Sequence, residues 1–120
     1  MAENIIKIKS FNFALRIIKL SQFLNFEKKE FILSKQLLRS GTAIGALVRE
    51  SEQAESKRDF IHKLAIAQKE ANETDYWLEL LYQSDYLNQT QFQSIKSDII
   101  EINKILASVI ITTKQKLSAK

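Results

Sequence analysis

Between residues 5 and 24, apolar side chains recur at helical spacing on two sides of the chain at once. Ile8, Phe11, Leu15 and Ile18 fall on one side, and Ile6, Phe13, Ile17, Leu20 and Leu24 on the other. The pattern predicts a first helix over about 5–24 that is apolar nearly all round. One stripe suffices for a bundle core, so the second predicts contact with another subunit. The rhythm is lost near Asn25 to Lys28, in a stretch that has neither glycine nor proline. It resumes in a second helix over about 28–53, with Leu33, Leu37, Gly41, Ile44, Leu47, Val48 and Ser51 on its inner arc.

Ser56 followed by Asp59 has the form of a capping box and opens a third helix over about 57–84. Its inner seam, Phe60, Leu64, Ala67, Ala71, Thr74, Leu78 and Leu81, has a seven-residue repeat suited to helix-on-helix packing. Ile66, Tyr76, Trp77 and Leu80 lie off this seam with Glu73 among them, which predicts a subunit interface; the less favoured alternative is that Trp77 overlaps the edge of the core. Asn88 and Gln91 form a second capping pair, with Leu87 placed for a hydrophobic staple. A fourth helix follows over about 89–116, with Phe92, Ile95, Ile99, Ile102, Leu106, Val109 and Thr113 on its inner face and a tail expected to fray. Four long helices with short connections predict an all-α, antiparallel up-down-up-down four-helix bundle in a single domain, residues 1–120.

Composition supports this picture, since a chain with no proline and two glycines has few helix breakers. The glycines, Gly41 and Gly45, both fall inside the second helix. Each costs about 1 kcal/mol there relative to alanine, so they predict the close approach of another helix. The absence of cysteine excludes disulfides and thiolate metal sites and fits a reducing compartment. No apolar run reaches the roughly 18 residues of a membrane span, and the N-terminal stretch lacks the pattern of a signal peptide, so the expectation is a cytoplasmic protein without membrane contact.

The formal charge is +4, and it belongs to the first half: residues 1–60 hold eleven basic and seven acidic side chains, and residues 61–120 hold seven of each. One basic track, Lys35, Arg39 and Arg49 with Thr42 and Ala46 between them, runs along the outside of the second helix. Bundle topology gathers Lys7, Lys9, Lys114, Lys116 and Lys120 at one end, and Arg58 adds a further candidate phosphate contact. A solvated face is the alternative for each of these cations. Arg39 also lies level with Glu73, and because both project away from the inner seams, a structural pairing between subunits is favoured over phosphate binding. Glu50 joins Glu52, Glu55 and Asp59 near the second turn, interspersed with Lys57 and Arg58 as a solvated charge network. Base stacking is disfavoured because Tyr76, Tyr82 and Tyr86 lie in the less basic half. The single histidine, His62, cannot supply the paired Glu-x-x-His motifs of a di-iron bundle, and no phosphate-cradling glycine loop is present, so neither catalysis nor a cofactor or metal is expected.

The run from Gln36 to Leu81 resembles the four-helix-bundle proteins encoded in intervening sequences of bacterial 23S rRNA genes. The matching elements are Arg39, Thr42, Ile44, Val48 and Glu50, then FIHKLAIA and Glu73; Leu47 stands where asparagine is common in that family. The resemblance implies an antiparallel bundle assembled into a ring, a pentamer, with no enzymatic activity. Similar bundles include a positively charged pentameric accessory protein of diversity-generating retroelements that binds nucleic acid and a reverse transcriptase. RNA or DNA binding is therefore implied by analogy, with a scaffold that takes a protein partner as the alternative.

Overall fold

Helix starts in this chain are set by side chains that accept otherwise unpaired amides. In the computed structural model, which describes residues 2–119, the elements are α1 (Ala2–Phe26), α2 (Leu33–Ser51), α3 (Lys57–Gln83) and α4 (Gln89–Ser118). Ser56 accepts the Asp59 N–H at 3.0 Å, and Asp59 in turn accepts the N–H of Glu55 at 3.2 Å. Asn88 and Gln91 form the full reciprocal capping box, and Leu87 and Phe92 on either side of it are both buried in the core. The C-terminal segment expected to fray is helical through Ser118.

The first turn differs from expectation. α2 begins at Leu33 rather than near residue 28, because Glu30 supplies its cap from outside the helix. The Glu30 carboxylate is buried and accepts the N–H groups of Ile32, Leu33 and Ser34 at 3.2, 3.1 and 2.7 Å. A negative charge set against free amides at a helix N-terminus is favourable on both hydrogen-bond and dipole grounds. Lys29 turns the chain with φ of 54°, and Ser34 Oγ lies 2.8 Å from Asn25 Oδ1, which ties the two helix ends together. The α3–α4 turn uses the same backbone device. Asp85 has φ of 69°, and the N–H groups of Tyr86 and Asp85 bond back to the carbonyls of Leu81 and Tyr82, the Schellman pattern.

The molecule measures 53 × 22 × 20 Å, so helices of 19 to 30 residues lie along its length. α2 packs on α1 and α3, and α4 packs on α3 and closes back on α1. Lys7 meets Glu52, Ser10 meets Gly45 and Ile17 meets Gly41, so partner numbers fall along α2 as they rise along α1. Ser40 with Thr74 and Glu50 with Lys63 repeat this between α2 and α3, and Asp75 with Lys96 and Tyr82 with Phe92 between α3 and α4. One core cluster joins Ile6, Phe13, Ile17 and Leu24 to Leu37, Ile44 and Val48 and to the inner seams of α3 and α4. Ile110 also enters it, and Leu47 packs at its edge. Where the core is polar it is satisfied: Thr74 Oγ1 donates either to Ser40 Oγ at 2.9 Å or to the Glu70 carbonyl at 2.7 Å. Among the described residues no buried side-chain polar atom lacks a partner.

The glycines mark where α1 comes closest to α2. A Cβ on Gly41 would lie 2.8 Å from both γ-carbons of the fully buried Ile17, and one on Gly45 would lie 3.3 Å from the backbone oxygen of Ser10. Alanine at Gly41 gains about 1 kcal/mol of helix propensity but overpacks a seam in which Ile17 cannot withdraw, at about 1–3 kcal/mol. Gly41→Ala should therefore leave stability unchanged or lower it by up to about 2 kcal/mol in urea unfolding, and Gly41→Val should lower it further. A clear gain for both variants would mean that the seam is looser than described. Lys29→Gly should raise stability by about 1 kcal/mol, because glycine adopts the left-handed region without the Cβ penalty.

Candidate functional site

α1 keeps one of its two apolar sides in water. Ile6, Phe13, Ile17 and Leu24 are buried, whereas Ile8 (61%), Phe11 (46%), Leu15 (47%) and Ile18 (39%) remain exposed. Phe11, Leu15 and Ile18 form one wall of a shallow groove of about 260 Å3, and Thr42, Ala46 and Arg49 form the other. Gly45, one of the two glycines that admit α1, also lines the groove. Arg49 sits at its rim with the guanidinium 5.0 Å from the Phe11 ring centroid, a cation–π contact. The outer track of α2 is for this reason less an isolated basic stripe than the polar border of an apolar surface.

Charge compensation divides the candidate cations. Arg39 makes a bidentate pair with Glu70, both contacts at 3.1 Å, and its second amino group also bonds Glu73. This pairing lies within the chain, which corrects the expectation of a contact between subunits. Arg39 and Glu73 flank the α2–α3 seam, and side chains of their length reach around its edge. Glu70 was not singled out from the sequence, although it stands three residues before Glu73 and so on the same helix face. The Arg39 guanidinium is held above its ordinary pKa, chiefly by the hydrogen bond to Glu70; burial opposes this, and the charges of Glu70 and Glu73 and the hydrogen bond to Glu73 add to the rise.

The basic end is likewise partly neutralised. Lys7 pairs with Glu52 at 3.2 Å and Lys9 with Glu101 at 2.9 Å, while Glu50 pairs with Lys63 at 3.5 Å. Among the described residues no carboxylate lies within ion-pair distance of Lys35, Arg49, Arg58, Lys114 or Lys116; Lys120 lies outside them. On α3, Trp77 is half-buried against the core edge, with its Nε1–H directed to Glu73 at 3.4 Å. Tyr76 is exposed and meets Trp77 edge-on at 5.2 Å, and Ile66 and Leu80 are half-buried. α3 therefore presents a thinner outer apolar surface than α1. His62 is exposed, and among the described residues no cluster of three or more His, Cys, Asp and Glu side chains forms a metal site. No described helix is long and apolar enough to cross a membrane.

These features define an all-α, four-helix protein whose distinctive surfaces are an exposed apolar stripe and a set of uncompensated cations. The chain belongs to the 23S rRNA-intervening sequence protein family, whose model matches residues 2–108. It is similar to a protein of unknown function from the S23 ribosomal protein family of Bacteroides thetaiotaomicron, known from a crystal structure, with 58% identity and a TM-score of 0.91. The match covers 92% of this chain and 98% of that one. No curated protein matches the chain.

Because the Arg39 side chain is half exposed, its ion pairs are solvent-screened and should contribute little. Arg39→Ala is expected to lower stability by no more than about 1 kcal/mol. Repeating the denaturation in high salt should shrink the difference further; a large, salt-independent loss would show that the cluster is a structural requirement.

Proposed function

We propose that this protein is a non-enzymatic, single-domain, antiparallel four-helix bundle that assembles into a homo-oligomeric ring, a pentamer by family resemblance, and binds RNA or DNA through backbone phosphates in the cytoplasm. Assembly is supported by the outer stripe of α1, where Ile8, Phe11, Leu15 and Ile18 lie along one exposed side. The observation that carries nucleic-acid binding is that Lys35, Arg49, Arg58, Lys114 and Lys116 have no carboxylate partner among the described residues. Guanidinium and ammonium groups without an internal carboxylate partner can neutralise phosphates without first breaking an ion pair. A non-enzymatic role is supported by the exposure of His62 and by the finding that, among the described residues, no three His, Cys, Asp or Glu side chains gather where they could hold a metal.

A second reading, a scaffold whose partner is another protein, is favoured by one specific observation. Lys7, Lys9 and Arg39, three of the nine cations picked out by sequence, are already engaged by carboxylates. An ionic-strength series separates the two readings. Phosphate binding predicts that the logarithm of the affinity falls linearly with the logarithm of salt, with a slope of about −0.9 per phosphate on duplex DNA and about −0.7 on single strands. Lys35→Ala and Arg49→Ala should each weaken binding across all sequences and lower that slope by about one contact. Failure to bind RNA or DNA at low ionic strength, with a single protein partner retained after nuclease treatment, would replace this reading by the scaffold.

A further inference from the structure

The turn between α1 and α2 places two aromatic rings in water. Phe26 is 72% exposed and Phe31 59%, more than any other aromatic side chain among the described residues, and neither contributes to the core. Sequence alone disfavoured base stacking because the tyrosines lie in the less basic half, and it left these phenylalanines out of account. Their setting is basic. Among the described residues Lys19, Lys28, Lys29 and Lys35 have no carboxylate within ion-pair distance. Of the two glutamates in the turn, Glu30 is buried and occupied by three amides, which leaves Glu27 as the exposed one. Lys19 precedes Phe26 by seven residues on the same side of α1, at a rise of about 10 Å.

The turn is also held in one shape. Glu30 fixes the start of α2, Ser34 ties back to Asn25, and the Glu30 N–H bonds the Leu24 carbonyl at 2.9 Å. The Lys28 ammonium rests 5.9 Å from the Phe23 ring centroid, on the flank of α1. The rings therefore stand on a preorganised backbone and lose little conformational entropy when a ligand covers them.

We propose that the α1–α2 turn is a stacking platform for single-stranded nucleic acid, in which Phe26 and Phe31 take the faces of unpaired bases and Lys19, Lys28, Lys29 and Lys35 take the flanking phosphates. The proposal rests on the nucleic-acid reading above and names a place and a strandedness for it. Every base has a π-face, so such a platform binds with little sequence preference and discriminates against duplex, whose bases are already stacked. The order of residues favours this ligand over a lipid surface. From Phe26 to Phe31 two exposed aromatic rings bracket a run of four charged residues, Lys28 and Lys29 among them. A membrane wedge instead needs a continuous apolar face with its cations on the other side.

The test is fluorescence anisotropy at fixed low salt, with labelled single-stranded RNA and DNA of about 12 nucleotides and the corresponding duplex as probes. Phe26→Ala and Phe31→Ala should each weaken single-strand binding about tenfold or more, which is the scale of one lost stacking contact. Duplex binding should be unchanged, and Phe26→Trp should keep wild-type affinity for the strand. Both rings are exposed, so these variants fold. If the wild type binds single strands and the double alanine variant binds them equally well, this inference falls alone and the phosphate reading stands. If the wild type binds neither probe, both fall. Binding to phosphatidylserine–phosphatidylcholine vesicles that is lost in the phenylalanine variants, with no strand binding, assigns the turn to lipid and overturns the proposal.

Discussion

The approach of α1 to α2 at Gly41 and Gly45 is the contact on which the rest of the molecule depends. Ile17 occupies the space that a Cβ on Gly41 would fill, and the backbone at Ser10 lies against Gly45. Sinking α1 this far fixes its rotation. Ile6, Phe13, Ile17 and Leu24 turn inward and are covered, and the neighbouring stripe through Ile8, Phe11, Leu15 and Ile18 is turned into solvent. Successive residues on a helix are about 100° apart, so a helix with two apolar sides can bury only one against two neighbours. Gly45 also lines a shallow groove outside the contact, and Phe11, Leu15 and Ile18 of the apolar stripe form one wall of that groove.

Most of the helical architecture was legible because it is written in local chemistry. The seams of α3 and α4 follow the expected inner positions almost residue for residue, from Leu64 to Leu81 and from Phe92 to Val109; Asn88 and Gln91 form the full capping box, whereas at the start of α3 only Ser56 caps, the Asp59 carboxylate accepting from Glu55 instead. The start of α2 was not legible. Its cap is a glutamate two residues before the N-cap position, where Ser, Thr, Asp or Asn would be sought, and its action depends on a turn through Lys29 that no glycine announces. Ser40 was missed in the same way, since a serine on an inner arc is indistinguishable from a surface serine until its partner, Thr74 on the next helix, is in place.

The candidate surfaces were legible by element but not by partner. Sequence located the cations on α2 and at the chain ends, whereas compensation is a property of space: Glu52, Glu101 and Glu70 come from other helices and reach Lys7, Lys9 and Arg39. Among the described residues, the cations without a carboxylate partner include Lys35 and the lysines of the α1–α2 turn, Arg49 and Arg58 near the α2–α3 turn, and Lys114 and Lys116. Trp77, a candidate for an intermolecular contact, rests against the core edge with its indole N–H directed at Glu73, so the greater part of the outer apolar surface belongs to α1.

The central claim is that this outer stripe of α1 is covered by a second copy of the chain, and its mass in solution tests that most directly. Sedimentation velocity at micromolar concentration should give a single species several times the 13.9 kDa of one chain, and Leu15→Glu, an exposed change that leaves the core intact, should convert it to monomer. A wild-type protein that sediments as a stable monomer would contradict the account.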